Sequence, residues 1–427
     1  MKEKKNILVF SYSDMRLGGI QKILYGYIQS FQDRGDRVIW VAPEKPEIDQ
    51  GFRGRVNRER MMICGLAQAQ AYLTDFCGKQ DATVVILSFR PSDYLKMVRL
   101  ELSLAAYDVR NYLAVAHYKG GHLFLEENYR GNQRERAFGE AKAFYACLLK
   151  NGSLMFCSPK QAEVFEEHYR LVPEDRDAVV LPVPVIRDRP EDADIQNRVG
   201  KDHIISVCRF SFPHKGYVLG LIRAYGVLKE RYPRLRLTLV GFGDGTEQVH
   251  REIRELKERA RQDVRVIPGV PLDQLPAYFA EASVAVGLAG AASASASDSL
   301  VTLVARHYCE DCETYGSYAD CWEKVLSEEP GRAIIPELER VLNLDEEEYL
   351  EESRRTRDAY ERKVLPRQRD ICADCSVEKA CPLTAEQIAA LKAMTARAEG
   401  RLRRKRWGHW LTHPGYVLKK LKGKITG

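Results

Sequence analysis

Two cations, Arg209 and Lys215, flank a short loop in Ile204-Ile-Ser-Val-Cys-Arg-Phe-Ser-Phe-Pro-His-Lys-Gly-Tyr217. An apolar run followed by this loop and then a helical pattern reads as strand, loop, helix. At the carboxyl end of a parallel strand, two cations and the first N–H groups of a helix suit a diphosphate. Spacing alone leaves a plainer reading open, that of two solvated surface cations. A second constellation is made of thiols. Cys309 and Cys312 form one CxxC pair and Cys372 and Cys375 another, with Cys321 and Cys381 close in sequence. Two such pairs can supply four thiolates to a tetrahedral structural zinc, and an iron–sulfur cluster uses the same ligand type. Reduced thiols in surface loops are the alternative. A third constellation lies in residues 401–427, where nine basic residues and no acidic ones are interleaved with Trp407, Trp410 and Tyr416. Cations with indoles suit an anionic membrane surface. A solvated basic tail is the plainer reading, and RNA is disfavoured because no recognised RNA-binding motif accompanies the patch.

The elements that must position these groups alternate along the chain. Asn6–Ser11 is a short apolar strand, and Gly18-Gly19 opens a helix with Ile20, Leu24, Ile28 and Phe31 on one face. Arg37–Val41, Thr83–Ser88, Tyr112–Ala116 and Leu154–Cys157 are further short strands. Near-continuous apolar strands between helices imply parallel sheets covered on both faces. Arg187–Lys201 is charged and aperiodic and reads as a linker. A second alternation follows, with strands at His203–Cys208, Leu235–Val240, Val264–Ile267 and Ser283–Gly287. Helices are expected at Tyr217–Tyr232, Gln248–Arg261, Leu272–Ala280, Asp345–Lys363 and Thr384–Arg406. The organisation is thus two α/β domains, 1–187 and 188–342, then a helical cysteine-containing extension, 343–400, and a basic aromatic tail, 401–427.

Composition narrows the function classes. The 427 residues are 45% hydrophobic and 30% charged, an ordinary globular balance that excludes a fibrous or wholly disordered chain. Removing the nine tail cations from the net charge of +6 leaves the body at −3, which does not suit a nucleic-acid groove. No apolar run is long enough to span a bilayer and no signal peptide is recognisable. The expected location is the cytoplasm, peripheral on the inner face of the plasma membrane. Cys64, Cys77, Cys147, Cys157 and Cys208 lie among apolar neighbours and are expected to behave as small hydrophobes.

Arg209…Lys215-Gly216, Leu237-Thr-Leu-Val-Gly-Phe-Gly-Asp-Gly245, Val264-Arg-Val-Ile-Pro-Gly269 and Leu275–Val286 together resemble the donor half of glycosyltransferase family 4. In the first half, Gly18-Gly19, Leu113-Ala-Val-Ala-His117 and Phe156-Cys-Ser158 resemble that family's glycine-rich loop and two strand ends. The similarity spans roughly residues 5–305. It implies a GT-B fold, two Rossmann-like domains facing across a cleft, and retaining transfer from a nucleotide-sugar to a glycan or lipid-linked acceptor in cell-surface polysaccharide assembly. It assigns the leaving diphosphate to Arg209 and Lys215, a form of electrostatic catalysis. His117 would lie near the transferred sugar, and Gly18, Gly19, Gly241, Ile267 and Gly269 would border the donor. No catalytic cofactor is implied. The thiols Cys309, Cys312, Cys372 and Cys375 would serve a structural zinc at most.

One motif departs from the family. In Gly287–Val304, aligned without gaps, Ala294 stands where the family has a glutamate that accepts hydrogen bonds from the ribose hydroxyls; Ser299 and Val301 replace a glycine and a proline. Loss of such an acceptor costs about 1–3 kcal/mol. Ser293, Ser295 and Asp298 are the candidates to take its place. The alternative function is a catalytically impaired, glycosyltransferase-like partner or scaffold.

Overall fold

The computed structural model describes residues 5–12, 15, 19–42, 58–115, 124–157, 159–173, 180–181, 191–270, 274–324, 329–364, 371 and 384–412. Gly18, His117, Ser158, Cys372, Cys375, Cys381 and residues 413–427 lie outside them. In the first half, β1 (Lys5–Ser11), β2 (Arg37–Val41), β3 (Met61–Cys64), β4 (Ala82–Ser88), β5 (Asp108–Val115) and β6 (Leu154–Phe156) form one sheet in the order β3-β2-β1-β4-β5-β6. Every pairing in it is parallel. Helices α1 (Gly19–Asp33), α2 (Leu66–Lys79), α3 (Pro91–Ser103), α4 (Asn132–Lys150) and α5 (Pro159–Tyr169) accompany it. Burial of all seven residues of β4 explains its unbroken apolar run, since a parallel strand at the centre of a sheet meets helices on both faces.

The second half holds β7 (His203–Arg209), β8 (Arg236–Phe242), β9 (Val264–Ile267), β10 (Val284–Gly287), β11 (Thr302–Ala305), β12 (Glu313–Ser317) and β13 (Arg332–Ala333), in the order β13-β12-β11-β10-β7-β8-β9. Only β12 and β13 run antiparallel to their neighbours. Its helices are α6 (Asp192–Gln196), α7 (Tyr217–Arg231), α8 (Thr246–Glu255), α9 (Glu258–Arg261), α10 (Leu275–Ala280), α11 (Gly290–Ser297), α12 (Tyr318–Cys321), α13 (Ile334–Leu342) and α14 (Glu346–Val364); α15 (Ala385–Thr412) ends the described chain. Alternation sorts the strand residues onto two faces. Ile204, Leu237, Leu239, Val284, Val286 and Leu303 pack with α7 and α13. Ile205, Val240 and Ala285 pack with α10 on the other face.

The structure departs from the sequence reading in three places. The stretch read as a linker is partly domain: Ile195 and Arg198 are 2% and 3% exposed, with Ile195 inside the core of the second half. One apolar side chain per helical turn among charges gave too little periodicity to show this. The helix expected over Gln248–Arg261 is interrupted after Glu255, where Leu256 turns to extended backbone before α9. The segment after 343 divides between the halves. Helix α14 packs on α6, α11 and α12, with Tyr349 in the second core, whereas Ile371 and α15 return to the first half. There, Leu391 and Met394 join the core formed by α3, α4 and α5.

Candidate functional site

From β7 the second sheet grows outward through β8 and β9, and on the other side from β10 to β11. The connecting helices α7 and α11 therefore lie on opposite faces, and a crevice opens between them at the carboxyl ends of β7 and β10. The loop that carries Arg209 and Lys215 leaves β7 at this switch point. Gly241 lets that loop close down: a Cβ there would overlap the Cys208 carbonyl and come within 3.0 Å of the Phe210 ring. Gly241 thus acts through backbone packing beneath the loop.

Arg209 ends β7, in register with Phe242 of β8. It is exposed, and its guanidinium forms no hydrogen bond or ion pair among the described residues. Lys215 is half-buried, and its ammonium likewise has no hydrogen-bonding or ion-pair partner among them. Burial lowers the Lys215 pKa, against a smaller opposing effect of the Cys208 thiol. Desolvation pushes that thiol up to about 11. A cation taken partly out of water without a counter-ion is a cost that a bound anion offsets. Strand alternation puts the Cβ of Arg209 on the face of Val207, whereas Lys215 is close enough to interact electrostatically with Cys208, which packs on the α7 side. The two cations therefore straddle the end of β7.

Across the crevice, β10 leads through Ala289, which adopts φ 55°, into α11. The three candidates on this segment have internal contacts. Ser293 Oγ lies 3.3 Å from the Tyr318 hydroxyl. Ser295 is 1% exposed, receives a hydrogen bond from Thr302 Oγ1 at 2.9 Å and donates to the Ala292 carbonyl at 3.1 Å. Asp298 is 7% exposed at the far end of α11, where the buried Arg198 guanidinium donates to its carbonyl at 2.8 Å and lies near its carboxylate. Ala294 packs against an apolar cluster shared with Ile267, the last residue of β9. Gly269 is half-exposed beyond that strand.

In the first sheet the switch point lies between β1 and β4, and Gly19 opens α1 after β1. The sequence reading missed Arg90 at this edge. Its guanidinium lies 5.1 Å from the centre of the Tyr12 ring, which meets Phe89 edge-on at 6.5 Å. An isolated arginine before a proline carries no motif, so only the sheet order reveals its place.

Cys309 and Cys312 sit on a loop packed across α7, 8% and 0% exposed. A Cβ at Gly220 would overlap the backbone of Glu310, Asp311 and Cys312. Burial pushes the Cys312 thiol well above the ordinary range. Cys321 donates to the Ser317 carbonyl at 2.9 Å. Among the described residues no group of three or more histidine, cysteine or acidic side chains is placed to hold a metal. The second CxxC pair lies outside those residues.

The two sheets, their parallel cores and their helical layers are α/β and define the GT-B architecture found in solved glycosyltransferases. HepE of Anabaena, solved with UDP and glucose, superposes with a TM-score of 0.52 at 12% identity, over 84% of this chain and 96% of its own. A glycosyltransferase from Rickettsia africae gives 0.54 at 10% identity, over 85% and 95%. A TarM variant from S. aureus, solved with Fondaparinux, alpha-GlcNAc-glycerol and UDP, gives 0.54 at 8% identity, over 84% and 97%. These likenesses are of fold. No protein-family model matches the chain, and no curated protein matches it significantly.

Proposed function

We propose that the protein is a retaining glycosyltransferase that moves a sugar from a nucleotide-sugar to a glycan or lipid-linked acceptor in cell-surface polysaccharide assembly. The observation that carries this reading is the pair Arg209 and Lys215. Neither cation has a counter-ion among the described residues, and both stand at the switch-point crevice of the second sheet. The shared fold supports it, since two of the superposed structures were solved with UDP. A diphosphate between the two cations would leave its sugar at the mouth of the crevice. As the glycosidic bond breaks, charge grows on the departing phosphate oxygen. Fixed cations stabilise that charge more than they stabilise the ground state, which is how they would speed transfer.

Isothermal titration with UDP, ADP and GDP tests the reading. The folded protein should bind at least one of them, and Arg209→Ala should weaken that binding about tenfold or more, the loss of one charge-assisted contact. Binding left unchanged by Arg209→Ala rejects this crevice as the donor site. Binding without turnover of any nucleotide-sugar would favour the impaired partner, a reading to which Ala294 in its apolar setting gives specific support.

A further inference from the structure

Arg209 and Phe242 are cross-strand neighbours at the end of β7 and β8, and Phe242 is an aromatic side chain left 39% exposed. The row immediately beneath them on the same face is Val207, Val240 and Ile267, which pair in register across β7, β8 and β9. Val207 and Ile267 are only partly buried, as are Val270, Tyr278 and Ala294, which pack against the same core cluster. Next to an exposed cation the protein thus keeps a half-open apolar shelf with an aromatic ring at its rim. The polar groups of α11 are turned elsewhere: Ser293 toward Tyr318, Ser295 toward Thr302, and Ser297 onto the Ala294 carbonyl at 2.7 Å. What α11 adds to the shelf is the methyl group of Ala294.

We infer that this shelf holds the nucleoside of a nucleoside diphosphate by ring stacking and apolar contact, without reading its ribose hydroxyls. Phe242 then sets the affinity for the nucleoside, and Ala294 sets its indifference to the ribose hydroxyls. The inference rests on the donor-site reading above and deepens it. A planar base can lie on Phe242 while its diphosphate reaches Arg209 and Lys215, and stacking on one aromatic ring contributes measurably whatever the base. A sugar ring over Val207 and Ala294 meets no hydroxyl acceptor from α11, so removal of its 2′ hydroxyl removes no bond from this helix. Ribonucleoside and 2′-deoxyribonucleoside diphosphates should therefore bind alike.

The test is titration of the full chain with UDP, ADP and GDP and their 2′-deoxy counterparts, using wild type, Phe242→Ala, Phe242→Leu and Ala294→Glu. Each wild-type Kd should agree within about twofold between the ribo and deoxy forms of the same base. Phe242→Ala should weaken both forms about tenfold, with Phe242→Leu between the two. Ala294→Glu supplies an acceptor and should create a preference for the ribo form of about fivefold or more; circular dichroism checks that this variant folds. A wild-type preference of tenfold or more for ribo over deoxy overturns the inference while leaving the donor site intact. So does a Kd unmoved by both substitutions at Phe242. Absence of binding by every one of these diphosphates overturns the inference together with the reading on which it rests.

Discussion

Replacing Lys215 with methionine separates a ligand-binding cation from a structural one. The ammonium is half-buried, unpaired among the described residues and lowered in pKa by desolvation, so in the free protein it is a liability. Methionine keeps most of the stem and removes the charge. The gain is expected to be on the order of 1–2 kcal/mol, equivalent to a rise in Tm of about 2–6 °C. The sign with pH follows from linkage. A lysine whose folded pKa lies below its unfolded value of 10.5 costs stability fully at pH values below the folded pKa, and the cost fades as pH rises to the unfolded one. The gain from Lys215→Met is therefore full below the folded pKa and shrinks as pH approaches 10.5. Binding moves the other way. Loss of a charge-assisted contact to phosphate is worth roughly 1.5–3 kcal/mol, so the UDP Kd should rise about 10- to 150-fold. Scanning calorimetry at two pH values and titration with UDP read both effects. A Lys215→Met protein that melts lower and binds UDP as before would refute the reasoning, because the ammonium would then be serving the fold.

Two further outcomes are expected. Gly220→Ala places a Cβ into the backbone of Glu310, Asp311 and Cys312, so it should lift that loop from α7 and cost about 2 kcal/mol or more, seen as a lower midpoint in urea unfolding. Deleting residues 401–427 should abolish flotation with vesicles containing phosphatidylserine while leaving the UDP Kd unchanged; equal flotation of both proteins would remove the membrane role expected of the basic aromatic tail.

Much of the scaffold was legible because short β-branched runs have few alternatives. Arg37–Val41 and Val264–Ile267 fall where the pattern placed them, and β7 differs from its expected span by Arg209 alone. Met61–Cys64 was not read as a strand. With four residues and a mixed face, its identity comes from pairing in register with β2. At the site, sequence could name Arg209 and Lys215 but not their lack of partners, which depends on folds of the chain far away. It offered Ser295 and Asp298 as polar candidates because they are polar and adjacent to Ala294. Thr302 and Arg198, the side chains that meet them, come from beyond α11 and from the stretch read as a linker. Phe242 was overlooked for a related reason. An aromatic residue within an apolar strand looks buried until the end of the sheet is located.

The return of Ile371 and α15 to the first half means that the chain crosses between the halves twice, once between Leu181 and Glu191 and again between Val364 and Ile371. The two halves therefore cannot be parted by one cut of the chain, and a fragment ending at Leu181 would lack Leu391 and Met394 from its own core.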